Sequence, residues 1–98
     1  MKDIRTFLSE QVNNPDMLFL DERMYDGALC GTIQSESGET VAVYNENVLL
    51  EIMTDMMDGD FELAYEYYLF NIYNAYMGQN TPKFMNALVD GELYGGYN

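Results

Sequence analysis

The sequence predicts an α+β domain in which a β-hairpin, joined by a short C-terminal strand, is covered by two helices, with a short helix ahead of them. Three observations lead there. Two runs rich in β-branched residues flank a five-residue, Gly-containing turn near the middle of the chain, the pattern of a hairpin. Two helical segments follow back to back, each preceded by a capping residue and closed by Gly. With 98 residues, 48% of them hydrophobic and 14% aromatic, the chain sustains one modest core but not a large internal cavity. A single domain over residues 1–98 is therefore expected, with a core over about 3–86 and a mobile tail over 87–98.

The elements follow in order. Ile4, Phe7, Leu8 and Val12 recur at helical spacing, and Asn13-Asn14-Pro15 stops the run. Residues 16–27 lack a period and read as a loop with one helical turn. Ala28–Gln34 and Thr40–Tyr44 are the hairpin strands, and Gly31 inside the first marks a bulge or a close backbone approach. Asn45 caps a second helix, with Leu49, Leu50, Met53, Met56 and Met57 on one side, Glu51, Asp55 and Asp58 on the other, and Gly59 at its end. Asp60 caps a third helix from Phe61 to about Met77, with Gly78 at C′. Asn80-Thr81-Pro82 turns the chain, and Lys83–Asn86 supply the third strand.

Charge narrows the function. Seventeen Asp and Glu face four Lys and Arg, with no His, for a formal charge of −13; beyond Arg23 the only base is Lys83. Such a surface repels nucleic acid and attracts basic grooves, so direct nucleic-acid binding is not expected. The apolar content is too high for disorder. Cys30 is the only cysteine, which rules out an internal disulfide and suits a reducing compartment; between Leu29 and Gly31 it reads as a small buried hydrophobe. The N-terminus lacks the apolar run of a signal peptide, and no stretch approaches the ~20 apolar residues of a membrane span. A cytoplasmic protein with no membrane association is expected. Without His the usual general base is missing, and no catalytic residues, cofactor or metal are assigned. The Asp55–Glu62 stretch fails the calcium-loop pattern at its fifth and sixth positions, where Glu62 and Leu63 stand. Most of the eight methionines fall at core-facing positions.

Two constellations remain. Glu51, Asp55 and Asp58 stand at i, i+4 and i+7, which lines three charges over roughly 10 Å of helix. Glu62 and Glu66 repeat the i, i+4 spacing on the next helix. Like charges so spaced cost a helix about 0.2–0.5 kcal/mol per pair, and no Lys stands among them, so stability alone does not choose the arrangement. Two readings fit: a solvated face that keeps an acidic protein soluble, or rows that imitate nucleic-acid phosphates and fit the basic surface of a nucleic-acid-binding protein. The second constellation is the third helix. Phe61, Ala64, Tyr65, Tyr68, Leu69, Ile72, Ala75 and Tyr76 form an arc broad enough to cover a small sheet. Leu63, Tyr67, Phe70 and Met77 form another stripe opposite, which a partner or a second copy would cover.

The strand entry D-G-A-L-C-G at Asp26–Gly31, Val43 and Tyr44, A-Y-E-Y at Ala64–Tyr67, Asn71, A-Y-M-G at Ala75–Gly78, and Thr81 and Pro82 occur in an order that resembles a group of small phage-encoded acidic proteins of unassigned activity. The resemblance covers a little over half of the chain and leaves out the N-terminal helix and the Tyr-rich tail. It implies a phage origin, a shared fold and an infected bacterial cell as the setting, and carries over no catalytic residue. Together these observations point to a non-enzymatic phage inhibitor that mimics nucleic acid at a basic surface of a bacterial defence or host enzyme. The alternative is a homo-oligomeric phage assembly or scaffold protein, at least a dimer, acting through the aromatic stripe.

Overall fold

The computed structural model describes residues 3–75 and 77–86. Helix α1 (Ile4–Gln11) leads through a loop and a 3-10 turn (Arg23–Ala28) to strands β1 (Leu29–Gln34) and β2 (Thr40–Asn45). Helices α2 (Glu46–Met56) and α3 (Phe61–Tyr68) follow, α3 running on into a π-helical turn (Leu69–Tyr73), and strand β3 (Lys83–Met85) closes the order. The predicted α+β class and its elements are present. The expected mobile tail at 87–98, and Tyr76 of the predicted arc, lie outside the described residues.

The sheet has the order β1-β2-β3. β1 and β2 are antiparallel, with Ile33 opposite Val41 and a bulge between Leu29 and Gly31, where the lone strand glycine suggested one. β3 runs parallel to β2, pairing Tyr44 with Phe84. A parallel neighbour needs a long crossover, and α2 and α3 supply it.

β2 is buried from Val41 to Asn45. Its Ala42 and Tyr44 join Leu49, Leu50 and Met53 of α2, Ala64 and Tyr68 of α3, and Leu8, Met17 and Leu20 from the N-terminal third in one core. Each fully buried aliphatic side chain there contributes about 1.5–3 kcal/mol. Phe84 ties the sheet to the helices, its ring lying 5.9 Å from Tyr44 and edge-on to Tyr68 at 5.6 Å.

Side-chain caps set the helix starts. Asp3 accepts from the Thr6 N–H at 2.9 Å, Asn45 from the Asn47 N–H at 3.0 Å, and Asp60 from the Leu63 N–H at 3.1 Å. The Thr6 N–H, then the Arg23 guanidinium, hold the Asp3 carboxyl down at about 2. The aperiodic N-terminal loop is fastened by Arg5. Its Nε donates to Asp26 Oδ1 at 2.7 Å and its Nη2 to the Leu20 carbonyl at 2.6 Å, while its guanidinium lies 5.3 Å from the Phe19 ring centre. The Tyr44 hydroxyl accepts from the Leu20 N–H at 2.9 Å.

The structure corrects four expectations. The third helix does not run to Met77: α-helical geometry ends at Tyr68, and the chain widens into the π turn, where Asn74 Nδ2 donates back to the Leu69 carbonyl at 2.9 Å. The second helix ends at Met56, and Asp58, not Gly59 alone, takes a left-handed conformation (φ 57°) in its C-terminal cap. The Gly59 N–H reaches the Thr54 carbonyl at 2.8 Å, and the Asp58 N–H reaches Asp55 at 3.3 Å. Cys30 is exposed, because the bulge breaks the alternation that would turn it inward; its Sγ lies 3.6 Å from the Val43 carbonyl. Partial desolvation nevertheless pushes the thiol's pKa up. Met17 and Met53 are buried, but Met24, Met56, Met77 and Met85 are about half exposed, because each stands at the end of an element or in a connection that no layer covers.

Candidate partner-binding surface

α2 buries Leu49, Leu50 and Met53, which by helical geometry turns Glu51 and Asp55 to solvent. These two carboxylates, with Asn47, Leu50 and Thr54, line an open groove of about 630 Å³ whose remaining wall is Phe61, the first residue of α3. The Thr54 hydroxyl in this groove bonds back to the Leu50 carbonyl at 2.7 Å. Asp58 leaves the row: with α2 over at Met56 it stands in the connecting turn, and the predicted i+7 position on the helix does not exist. Glu62 and Glu66 lie on α3. The structure thus brings Glu51 and Asp55 into one groove and distributes the other three along the turn and helix that continue from it.

All five carboxylates are exposed, and the described bases are committed elsewhere. Arg5 pairs with Asp26 at 2.7 Å, Arg23 with Asp3 at 3.1 Å and with Asp26 at 3.7 Å, and Lys83 with Glu36 at 3.4 Å. Among the described residues no ion pair neutralises Glu51, Asp55, Asp58, Glu62 or Glu66. Among the same residues no group of three or more His, Cys, Asp and Glu is placed to hold a metal ion, and no helix is long and apolar enough to cross a membrane.

The second stripe also faces outward. Phe70 is 78% exposed, and Leu63, Tyr67 and Met77 are each two-fifths to one-half exposed. Tyr67 and Met77 wall a cleft of about 210 Å³ with Phe19 and Tyr25, and Asp21 and Glu22 stand at its rim. Burial first, then the charges of Tyr67 and Glu22, raises the pKa of the Tyr25 phenol. Of the predicted core arc, Ala64, Tyr68 and Ile72 are buried and Leu69 is partly so, but Phe61 and Tyr65 are about half exposed. The first turn of α3 lies beside the C-terminal half of α2 along the groove, so these two rings stack on each other at 5.9 Å and 14°. Sequence reasoning missed Phe19, Asp21, Glu22 and Tyr25 because their loop has no period to place them.

Compared with known proteins, the chain matches no family model, no curated protein and no solved structure.

Proposed function

We propose that this chain is a non-enzymatic inhibitor of phage origin that occupies a basic, nucleic-acid-binding surface of a bacterial defence or host enzyme, by presenting carboxylates where phosphates would sit. The observation that carries the reading is the exposure of Glu51, Asp55, Asp58, Glu62 and Glu66, which no base among the described residues pairs. A surface tuned for stability would place Lys four residues from Glu or Asp on these helices, gaining about 0.2–0.5 kcal/mol per pair. This one leaves the charge unspent, free for a cationic cleft. The phage origin and the bacterial setting rest on the sequence resemblance.

The chain, immobilised in a bacterial lysate and analysed by mass spectrometry, should retain a protein that binds DNA or RNA. The purified pair should dissociate as nucleic acid is added, and its affinity should fall steeply with salt. The double variant Glu51→Gln/Asp55→Asn should weaken the pair. Equal affinity at low and high ionic strength refutes the reading.

The exposure of Phe70 favours a second reading, an oligomeric assembly protein joined through the α3 stripe. That reading requires a dimer or larger species in light scattering, lost on Tyr67→Glu or Phe70→Glu; a monomer at high concentration excludes it.

A further inference from the structure

We infer that the outer side of α3 and its π turn, carrying Leu63, Tyr67 and Phe70, is a docking surface for a protein segment whose apolar side chains are bordered by Arg and Lys. The inference rests on the reading above in taking the partner to be basic, and adds that the partner also brings an apolar patch. Ala64, Tyr68 and Ile72 turn one side of this helix into the core. Leu63, Tyr67 and Phe70, at i, i+4 and i+7, stand roughly opposite them. Phe70, at 78% exposed, does no work in the core, and aromatic side chains so presented are the common anchors of interfaces.

Charge identifies the occupant. Glu62 and Glu66 run along one border of the stripe, both exposed, and Asp21 and Glu22 rim the cleft that Tyr67 walls on the other. The described bases Arg5, Arg23 and Lys83 are held by Asp26, Asp3 and Glu36. A second copy would bring the same carboxylates and, among the described residues, no base outside an ion pair, adding repulsion at both borders. A segment with Arg and Lys beside its apolar residues meets carboxylates on each side, and its cations lie against exposed rings, where cation–π attraction adds to the pairing.

The test uses two synthetic helical peptides of equal charge, one with a leucine stripe flanked by arginines and one with the leucines replaced by serine. Binding to the full chain is read by fluorescence anisotropy at about 100 and about 500 mM salt. The leucine peptide should bind roughly tenfold or more tightly than the serine peptide and keep a larger share of its affinity at high salt. Phe70→Ser, and independently Leu63→Ser, should remove that advantage while leaving the serine peptide's binding and the circular dichroism unchanged. Equal binding of the two peptides, or no effect of either variant, overturns the inference. If Glu51→Gln/Asp55→Asn then still weakens both peptides, the acidic reading stands without it; if neither peptide binds, both fall. Sedimentation showing a dimer that Phe70→Ser dissociates assigns the face to a second copy and likewise overturns the inference.

Discussion

Replacing Tyr68 by Phe removes one oxygen from the centre of the molecule and tests the link between α3 and the start of α2. The Tyr68 ring is fully buried, and its hydroxyl donates to Glu46 Oε2 at 2.7 Å. A hydrogen bond to a charged acceptor contributes about 1.5–3 kcal/mol. Glu46 is only partly buried, so water can take over some of the lost bond, which puts the cost of Tyr68→Phe near the lower end, about 1.5–2 kcal/mol. For a domain of this size that lowers Tm by roughly 6–16 °C. The same bond has an alkaline signature. Burial, then the Glu46 carboxylate, pushes the Tyr68 pKa far up, so the phenol stays protonated in the folded state at a pH where the unfolded chain has lost its proton. Stability from this group is complete below the unfolded value of about 10 and falls as pH rises above it, toward the folded pKa. Each such tyrosine contributes a slope of about 1.4 kcal/mol per pH unit once its unfolded form is ionised. Tyr44 and Tyr25, whose pKa values burial also raises, give the wild type further contributions, and Tyr68→Phe should lose only its own. Urea unfolding followed by circular dichroism at neutral pH and at several values above pH ~10 reads both effects. A neutral-pH loss under about 0.5 kcal/mol, or an alkaline slope identical to wild type, would refute the reasoning.

Arg5→Ala should cost about 2–4 kcal/mol, because it strips Asp26 of its closer cation and the Leu20 carbonyl of its donor; thermal melts check the total, and amide exchange should show the loop over 16–28 opening before the sheet. Asp58→Gly should stabilise by about 0.5–1 kcal/mol, since it relieves the left-handed strain of a side-chain-bearing residue and removes a charge from a crowded surface. Urea midpoints with an unchanged m-value measure it, and a destabilised variant would mean that the Asp58 side chain contributes to the turn.

Features with a local chemical signature were legible in the sequence. Asn45 and Asp60 announce their helices because short polar side chains satisfy free N–H groups wherever a helix begins. The hairpin follows from its turn and its β-branched flanks, and Gly31 marks its bulge. Exposure of Glu51 and Asp55 follows from period alone, as does the outward face of Leu63 and Phe70. What failed depends on where neighbouring elements stop. A helical wheel places Phe61 and Tyr65 beside Tyr68 and Ile72, but it does not register that the first turn of α3 lies along the groove beside α2, where the two rings stack on each other and stay about half exposed. The π turn after Tyr68 leaves no clear mark in the sequence: Leu69–Tyr73 is a somewhat weaker helix former than Phe61–Tyr68, but it holds no Gly or Pro to show where the helix widens. Asp58 fell off its row for a related reason: the spacing continued, but the helix beneath it did not. The clamp built by Arg5 across Asp26 and Leu20 joins residues remote in sequence, within a loop whose pattern predicts no partner.

The parallel pairing of β2 with β3 joins Val43 to Lys83, roughly forty residues apart, a closure whose entropic cost grows with the logarithm of the intervening length. A three-residue strand cannot hold such a ring shut on its own. The rings of Tyr44, Phe84 and Tyr68 must meet almost simultaneously for the sheet to gain its third member. Folding should therefore proceed in two kinetic tiers, an early nucleus of hairpin and α2 and a late zippering of the distal strand, so that truncating the Phe84 ring should accelerate unfolding far more than it slows refolding.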